Sequence, residues 1–365
     1  MSIRSRKRSH LFVASLAAMV LAACSSADGG SASANGGPAA QDCTPAETPV
    51  ITLAAYSNPY DAYGKLTSSS GAFSTDWKDA NDQSLIFQMS FGGSSTQAEN
   101  IVNGFPADVY ASSTATDVEL VQDAGLITND WRSDTDGSIV ATSVVGFMVR
   151  PGNPKNIHTW SDLTQPGLQI LTPDPAQSGG ARWNIVAAYG AAMRGHVDGY
   201  AKDNPADAER LLEGIFKNVT VLDKSANDSF KNFESGNGDV AITYENQALA
   251  GIAGGSESEF VIPPSTVLIQ TPTVVVDENA TAHCNTKVVE AFVEYLHSDD
   301  AQEIFQTVGY QRPIDIAEAQ KGDGDQYPAI DDLFTTDDLG GWDALVGDTV
   351  FGPDGVFTQA QAAVS

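Results

Sequence analysis

Positive charge is scarce in this chain. It carries 19 lysines and arginines against 47 aspartates and glutamates over 365 residues, a formal charge of −28. Four of the bases, Arg4, Arg6, Lys7 and Arg8, fall within the first eight positions, and without residues 1–23 the balance is 15 against 47, or −32. Such acidity excludes nucleic acid and polyanionic surfaces as partners. An anionic ligand would have to be held by local groups, because the field of the whole molecule repels it. Histidine is also rare. His10, His158, His196, His283 and His297 are scattered without metal-ligand spacing, so no metal is expected and most of them read as surface residues. No Gly-x-Ser-x-Gly elbow is present, since "GGSSTQ" (92–97) lacks the second glycine and no base stands beside it. The many carboxylates read as a solvated face. Neither an enzyme nor a cofactor is indicated. Tyr56, Tyr60, Tyr63 and Tyr110 would suit a ferric ion, but aromatics close to strands read first as core.

Cysteine and long apolar runs are equally sparse. The stretch from Leu11 to Ala23 is too short for a comfortable membrane span. It follows a basic start and ends in Leu21-Ala22-Ala23-Cys24, which makes residues 1–23 a secretory signal. The ending resembles the bacterial lipobox, which implies a lipid on Cys24, anchorage at the cell membrane and an extracytoplasmic location. Residues 24–49, rich in Gly, Ser and Ala, read as a flexible tether. The two remaining cysteines, Cys43 and Cys284, are a disulfide candidate in an exported chain.

From Val50 onward strand and helix patterns alternate, which predicts an α/β fold with mainly parallel sheets. Strands are expected at 50–57, 84–90, 107–112, 142–150, 168–173, 219–223, 239–244 and 271–277. Helices are expected at 95–105, 116–125, 179–195, 206–218 and, as one long element, 286–309. Three strand-to-helix turns are small and rich in hydroxyls or glycine: "GGSSTQ" (92–97), "AQSGGAR" (176–182) and "DKSANDS" (223–229). Helix N-termini offer unpaired N–H groups and about half a positive charge. Ser178 is a good N-cap. Gly179 and Gly180 after it each cost about 1 kcal/mol relative to alanine in a helix, so something must approach that turn closely. A small tetrahedral anion fits. Neutral donors suit an anion without a proton, such as sulfate, whereas a phosphate would profit from a carboxylate acceptor.

At "SGGARWN" the chain resembles the sulfate/thiosulfate-binding proteins of bacterial ABC importers. The similarity continues through "GNPKNIHTWSDL" (152–163), "PGLQILTPDPAQSGGARWNIVAAYG" (166–190), "IFKNVTVLD" (215–223), "GDVAITYENQAL" (238–249), "GYQRP" (309–313) and "GGW" (340–342), and upstream through "GGSSTQAENIVNGFPADVYA" and "NDW" (129–131). The resemblance implies a two-lobed periplasmic-binding-protein fold of type II, each lobe a mixed sheet flanked by helices, with the ligand in the cleft between them. Lobe 1 would comprise 50–142 and 269–365 and lobe 2 residues 143–268, with crossings near "SVVGFMVR" and "TVLIQTPTVV". It further implies a monomeric receptor that delivers sulfate to permease subunits, with ATP hydrolysis left to partners. Ligand donors carried over by position are Asn58, Ser94, Ser178, Gly179, Gly180, Ala226 and Tyr244. Three positions depart from the family pattern. Asn58 stands for an aspartate, Asn227 for an arginine, and Tyr244 for a tryptophan whose indole can only donate, whereas a phenol also accepts. Thiosulfate, molybdate or another tetrahedral oxyanion, an anion sensor and an enzyme acting on sulfate esters are the alternatives.

Overall fold

The computed structural model describes residues 43–324 and 326–364. The expected signal, the lipidation residue Cys24 and most of the tether lie outside the described residues. The folded chain opens with β1 (Val50–Tyr56), followed by α1 (Tyr60–Leu66), α2 (Ala72–Asn81), β2 (Ile86–Gly92), α3 (Ser94–Val102), β3 (Val109–Ala111) and α4 (Ala115–Asp123). β1 is apolar along most of its length because it lies between β2 and β3, in parallel with both. The pairing sets Tyr56 beside Gly92, so the turns after β1 and β2 leave the sheet at one edge.

Next come β4 (Ile139–Val149), β5 (Ile170–Pro173), α5 (Gly179–Met193), α6 (Pro205–Phe216), β6 (Val219–Asp223), α7 (Ala226–Glu234), β7 (Val240–Tyr244), α8 (Glu245–Ala253) and β8 (Glu259–Val261). The chain returns through β9 (Ser265–Val275) and continues with α9 (Asp277–Ala282), α10 (Thr286–Tyr295), α11 (Asp299–Thr307), α12 (Ile316–Lys321), β10 (Asp332–Phe334), α13 (Gly341–Ala344) and α14 (Val356–Val364). The strand order is β2-β1-β3-β9-β4-β7-β5-β6. The outer strands of each half are parallel, but the two long strands β4 and β9 are antiparallel to each other and to their other neighbours on this path, so the sheet is mixed rather than mainly parallel. Both change partner midway. β4 pairs with β9 up to Val144 and with β7 from Val145, while β9 reaches β3 through Thr273–Val275.

Helix α5 is buried almost all round, with Arg182 and Met193 as its less covered residues. Small residues make that possible: a Cβ on Gly190 would lie 2.3 Å from the Phe334 ring. From Asp332 onward the chain departs from the expected grouping of 269–365 with residues 50–142. β10 pairs with the start of β9, Trp342 packs edge-on against Trp183 at 4.8 Å, and Phe357 of α14 meets Phe216 of α6. These C-terminal residues share the core that holds α5 and α6, whereas Ile51, Leu53 and Val109 share another with Phe292 and Phe305. The single helix expected over 286–309 is two, because Ser298 is extended and its hydroxyl accepts from Ala301 N–H, starting α11 afresh with Asp299 and Asp300 in its first turn.

Cys43 and Cys284 form a disulfide with Cα atoms 5.3 Å apart, fastening the stretch before β1 to the end of α9. One histidine, His297, departs from the surface expectation, while the exposed His283 is held by a buried partner. His283 Nδ1 lies 2.7 Å from the fully buried Asp108 carboxylate, and the His297 side chain is 9% exposed. Tyr56, Tyr63 and Tyr110 are buried, while Tyr60 is exposed.

Candidate anion site

The three small turns meet at one place. A Cβ on Gly93, the residue before α3, would fall 2.2 Å from the Gln177 carbonyl oxygen and 2.9 Å from that of Lys224. The turn before α3 therefore touches the turns before α5 and α7, which belong to the other half of the sheet. Thr96 N–H and its hydroxyl both donate to the Gln177 carbonyl, at 3.3 Å each. At the end of β1, Ser57 Oγ accepts from Asn227 N–H at 3.3 Å and donates to Asn58 Oδ1 at 3.3 Å. Three helix N-termini and the end of β1 thus converge, and each helix end favours negative charge at this point.

The glycines that start α5 have distinct neighbours. A Cβ on Gly179 would lie 2.3 Å from Ser113 Oγ and 3.0 Å from Asp117 Oδ2 and from Thr114 Cγ2, all at the start of α4. One on Gly180 would lie 3.2 Å from Ser178 Oγ and 3.6 Å from Tyr244 OH. Gly179 is therefore small to let the facing helix approach, a reason the sequence does not reveal. Ser178 departs from its expected role as well: its backbone is extended at the N-cap position, but its side chain makes no capping bond. Ala226 begins α7 behind the true capping residue Ser225, whose hydroxyl accepts from Asp228 N–H.

Polar atoms left without partners mark the interior of the site. Tyr244 OH, Ser113 Oγ, Asn58 Nδ2 and Asp117 Oδ2 are all buried and make no hydrogen bond. Buried polar groups are nearly always paired, and an unpaired one costs about 1–3 kcal/mol. Tyr244 OH, Ser113 Oγ and Asn58 Nδ2 are donors, and three such groups in the neighbourhood of converging helix N-termini suit a dry anion site, whereas Asp117 Oδ2 can only accept. Ser94 differs, since its hydroxyl accepts from Ser113 N–H at 3.0 Å and lies 3.0 Å from Ser112 Oγ and 3.1 Å from Tyr110 OH.

Burial pushes the Tyr244 phenol well above its ordinary value, reinforced by the neighbouring Tyr56 and the Asp117 carboxylate, while the Ser113 hydroxyl, near it but outside hydrogen-bond geometry, acts the other way. Burial likewise raises Tyr56 to about 12. Both stay protonated and able to donate at any physiological pH. Asp117 carries the nearby negative charge. Its Oδ1 accepts from Ser95 at 2.9 Å and pairs with Arg182 at 3.3 Å, which offsets that charge within the protein. Ser113 and Asp117 escaped the sequence reading because they lie in no glycine-rich turn. The signal available was the hydroxyl run "SSTAT" (112–116) before α4. Among the described residues no group of three or more His, Cys, Asp or Glu could hold a metal ion, and no helix is long and apolar enough to cross a membrane.

With this geometry in hand, a family model described as bacterial extracellular solute-binding protein matches residues 55–311. The chain is 34% identical to a sulfate-binding protein of Synechococcus elongatus, over 98% of each chain. It is 39% identical to a sulfate-binding protein of Salmonella typhimurium, over 78% of this chain and 83% of the other. Among solved structures, the sulfate-binding protein SubI from Mycobacterium tuberculosis H37Rv superposes with a TM-score of 0.71 at 32% identity, covering 81% of this chain and 98% of that one.

Proposed function

Because the chain belongs to the bacterial extracellular solute-binding proteins, we propose that it captures sulfate outside the cytoplasm and presents it to an ABC-type importer. The observation that carries this reading is the convergence of three helix N-terminal turns on buried hydroxyls and an amide that have no partner in the protein. Sulfate has four equivalent oxygens, no proton at neutral pH and a shape that several short donors can surround. Ser178, Gly179, Gly180 and Ala226 donate from helix starts, Tyr244 and Asn58 from side chains, and Ser113 joins them. Ser94 donates by exchanging one of its present partners. A neutral donor set avoids burying a countercharge, and the helix ends supply the electrostatic attraction. It is a binding protein, not an enzyme.

In this reading the two halves of the sheet are lobes, and they bend about β4 and β9 where those strands change partner. Lobe 1 comprises 50–142 and 269 to about the end of α11, lobe 2 the stretch between, and the residues from Asp332 onward travel with lobe 2. Gly93, Gly179 and the Ser57–Asn227 bond are contacts of the closed form. Opening separates them and admits ligand, and a closed receptor is the form a permease would recognise. Cys24 carries the lipid that holds the monomer at the membrane, and Cys24→Ser should release the protein into the medium.

Calorimetric titration of a form beginning near Asp42, unfolded and refolded to strip carried-over ligand, tests the assignment. Sulfate, thiosulfate, molybdate and phosphate are compared at one pH. Tight sulfate binding weakened by Ser178→Ala supports the reading. Preference for hydrogen phosphate would mean that Asp117 Oδ2 accepts a hydrogen bond from the ligand's hydroxyl, and silence toward all four would refute anion binding.

A further inference from the structure

The two residues that follow Tyr244 are both fastened to the place where β4 changes partner. Glu245 is 1% exposed, and its carboxylate takes a bidentate bond from the fully buried Arg312, at 2.6 Å from Nε and 2.8 Å from Nη2. Arg312 also donates from Nη1 to the Ala319 carbonyl and, at 2.9 Å, from Nη2 to the Pro328 carbonyl. Its backbone joins β4, because Arg312 N–H donates to the Thr142 carbonyl at 3.1 Å and Thr142 Oγ1 donates to the Arg312 carbonyl at 2.9 Å. Asn246 is tied to the next residue of that strand. Its N–H donates to Ser143 Oγ at 3.2 Å, and Ser143 Oγ donates to Asn246 Oδ1 at 3.2 Å. Thr142 and Ser143 immediately precede the point at which β4 passes from β9 to β7.

A wholly buried ion pair is a poor stabiliser compared with apolar side chains of similar size, so its value is better sought in the geometry it imposes. Here it grips the backbone one residue from a phenol that reaches into the anion site. We infer that Glu245 and Arg312 are positioning residues for Tyr244: with Ser143–Asn246 they lock the first turn of α8 to the crossing strands, so that the phenol is aimed at the anion in the closed form. The inference rests on the sulfate reading and deepens it by tying one donor to the hinge.

A double-mutant cycle on sulfate affinity tests it. Arg312→Lys keeps the charge and removes the planar fork. It should weaken sulfate binding about fivefold or more, within the range of couplings between connected residues. In a Tyr244→Phe background the same substitution should change affinity by less than about twofold, because the hydroxyl it aims is gone. Should Arg312→Lys not fold, the volume-conserving pair Glu245→Met with Arg312→Leu, an exchange that buried ion pairs often tolerate, enters the same cycle and must lose affinity only when Tyr244 is present. Equal losses in both backgrounds, or a fall in Tm with no loss of affinity, would overturn the inference while leaving the sulfate reading intact. A wild-type chain that does not bind sulfate would overturn both.

Discussion

Replacing Tyr244 by phenylalanine should move stability and affinity in opposite directions. The hydroxyl is buried without a hydrogen-bond partner in the closed form, so that form carries its desolvation without return unless an anion accepts from it. Removing it relieves about 1–3 kcal/mol, the cost of an unsatisfied buried polar group. At about 2.1 cal/mol/K of unfolding entropy per residue, that is a rise of up to about 1–4 °C in Tm for a chain of this size. With sulfate bound the same hydroxyl makes a hydrogen bond to a charged oxygen, worth about 1.5–3 kcal/mol. Its loss weakens Kd about 10- to 150-fold at about 1.4 kcal/mol per decade. Scanning calorimetry of stripped protein reads the first quantity, and titration calorimetry with sulfate reads the second. The melting difference should depend on sulfate: the variant melts as high as wild type or higher without sulfate, and that standing falls by the lost binding energy at saturating sulfate. A variant that melts lower in both conditions would show that the hydroxyl is satisfied by the protein itself, and the argument from unpartnered groups would fail with it.

Gly179→Ala places a methyl 2.3 Å from Ser113 Oγ, so the closed form should lose about 1–3 kcal/mol, read as a 5- to 150-fold weaker Kd. Gly180→Ala, whose nearest neighbour is 3.2 Å away, should lose less in the same titration. Asp332 anchors β10. Burial by itself would raise its carboxyl, but hydrogen bonds from Arg194 and Ser265 prevail and hold it below the usual range. A depressed carboxylate contributes stability above its unfolded value of 3.8 that is lost as pH falls through the folded one. Asp332→Asn should therefore lower Tm at pH 7, with the gap from wild type closing below about pH 4. Burial lowers His297 despite the nearby Asp136 and Asp134 carboxylates, so the unfolded chain takes up that proton first. Stability should fall as pH drops through 6.5, a sensitivity that His297→Gln reduces in denaturant titrations at pH 7.5 and 5.5. Breaking the Cys43–Cys284 link, which spans a sequence separation of 241, with Cys43→Ser should cost about 2–4 kcal/mol in the same assay.

Several elements were legible because their physics is local. β6 at Val219–Asp223, the start of α5 at Gly179 and the extent of β1 follow from short apolar runs and turn chemistry close by in the chain. The break between α10 and α11 was also written locally, in Ser298-Asp299-Asp300, but the apolar period on either side masked it. The strand β9 begins earlier than expected, at Ser265, because its first residues are stabilised by pairing with β10 far along the chain.

The sequence by itself determined an acidic chain without a nucleophile or metal set, an alternating α/β order and three turns built to receive an anion. Those properties depend on composition and near neighbours. Only the tertiary structure decided that the three turns meet at Gly93, and that Gly179 is small for the sake of Ser113 and Asp117. It also decided that the residues after Asp332 pack with α5 and α6, and that Arg312 reaches Glu245 across 67 positions. Each of these is a contact between groups far apart in the chain, made when burial of the two sheet halves fixes which surfaces face each other. No local pattern encodes it.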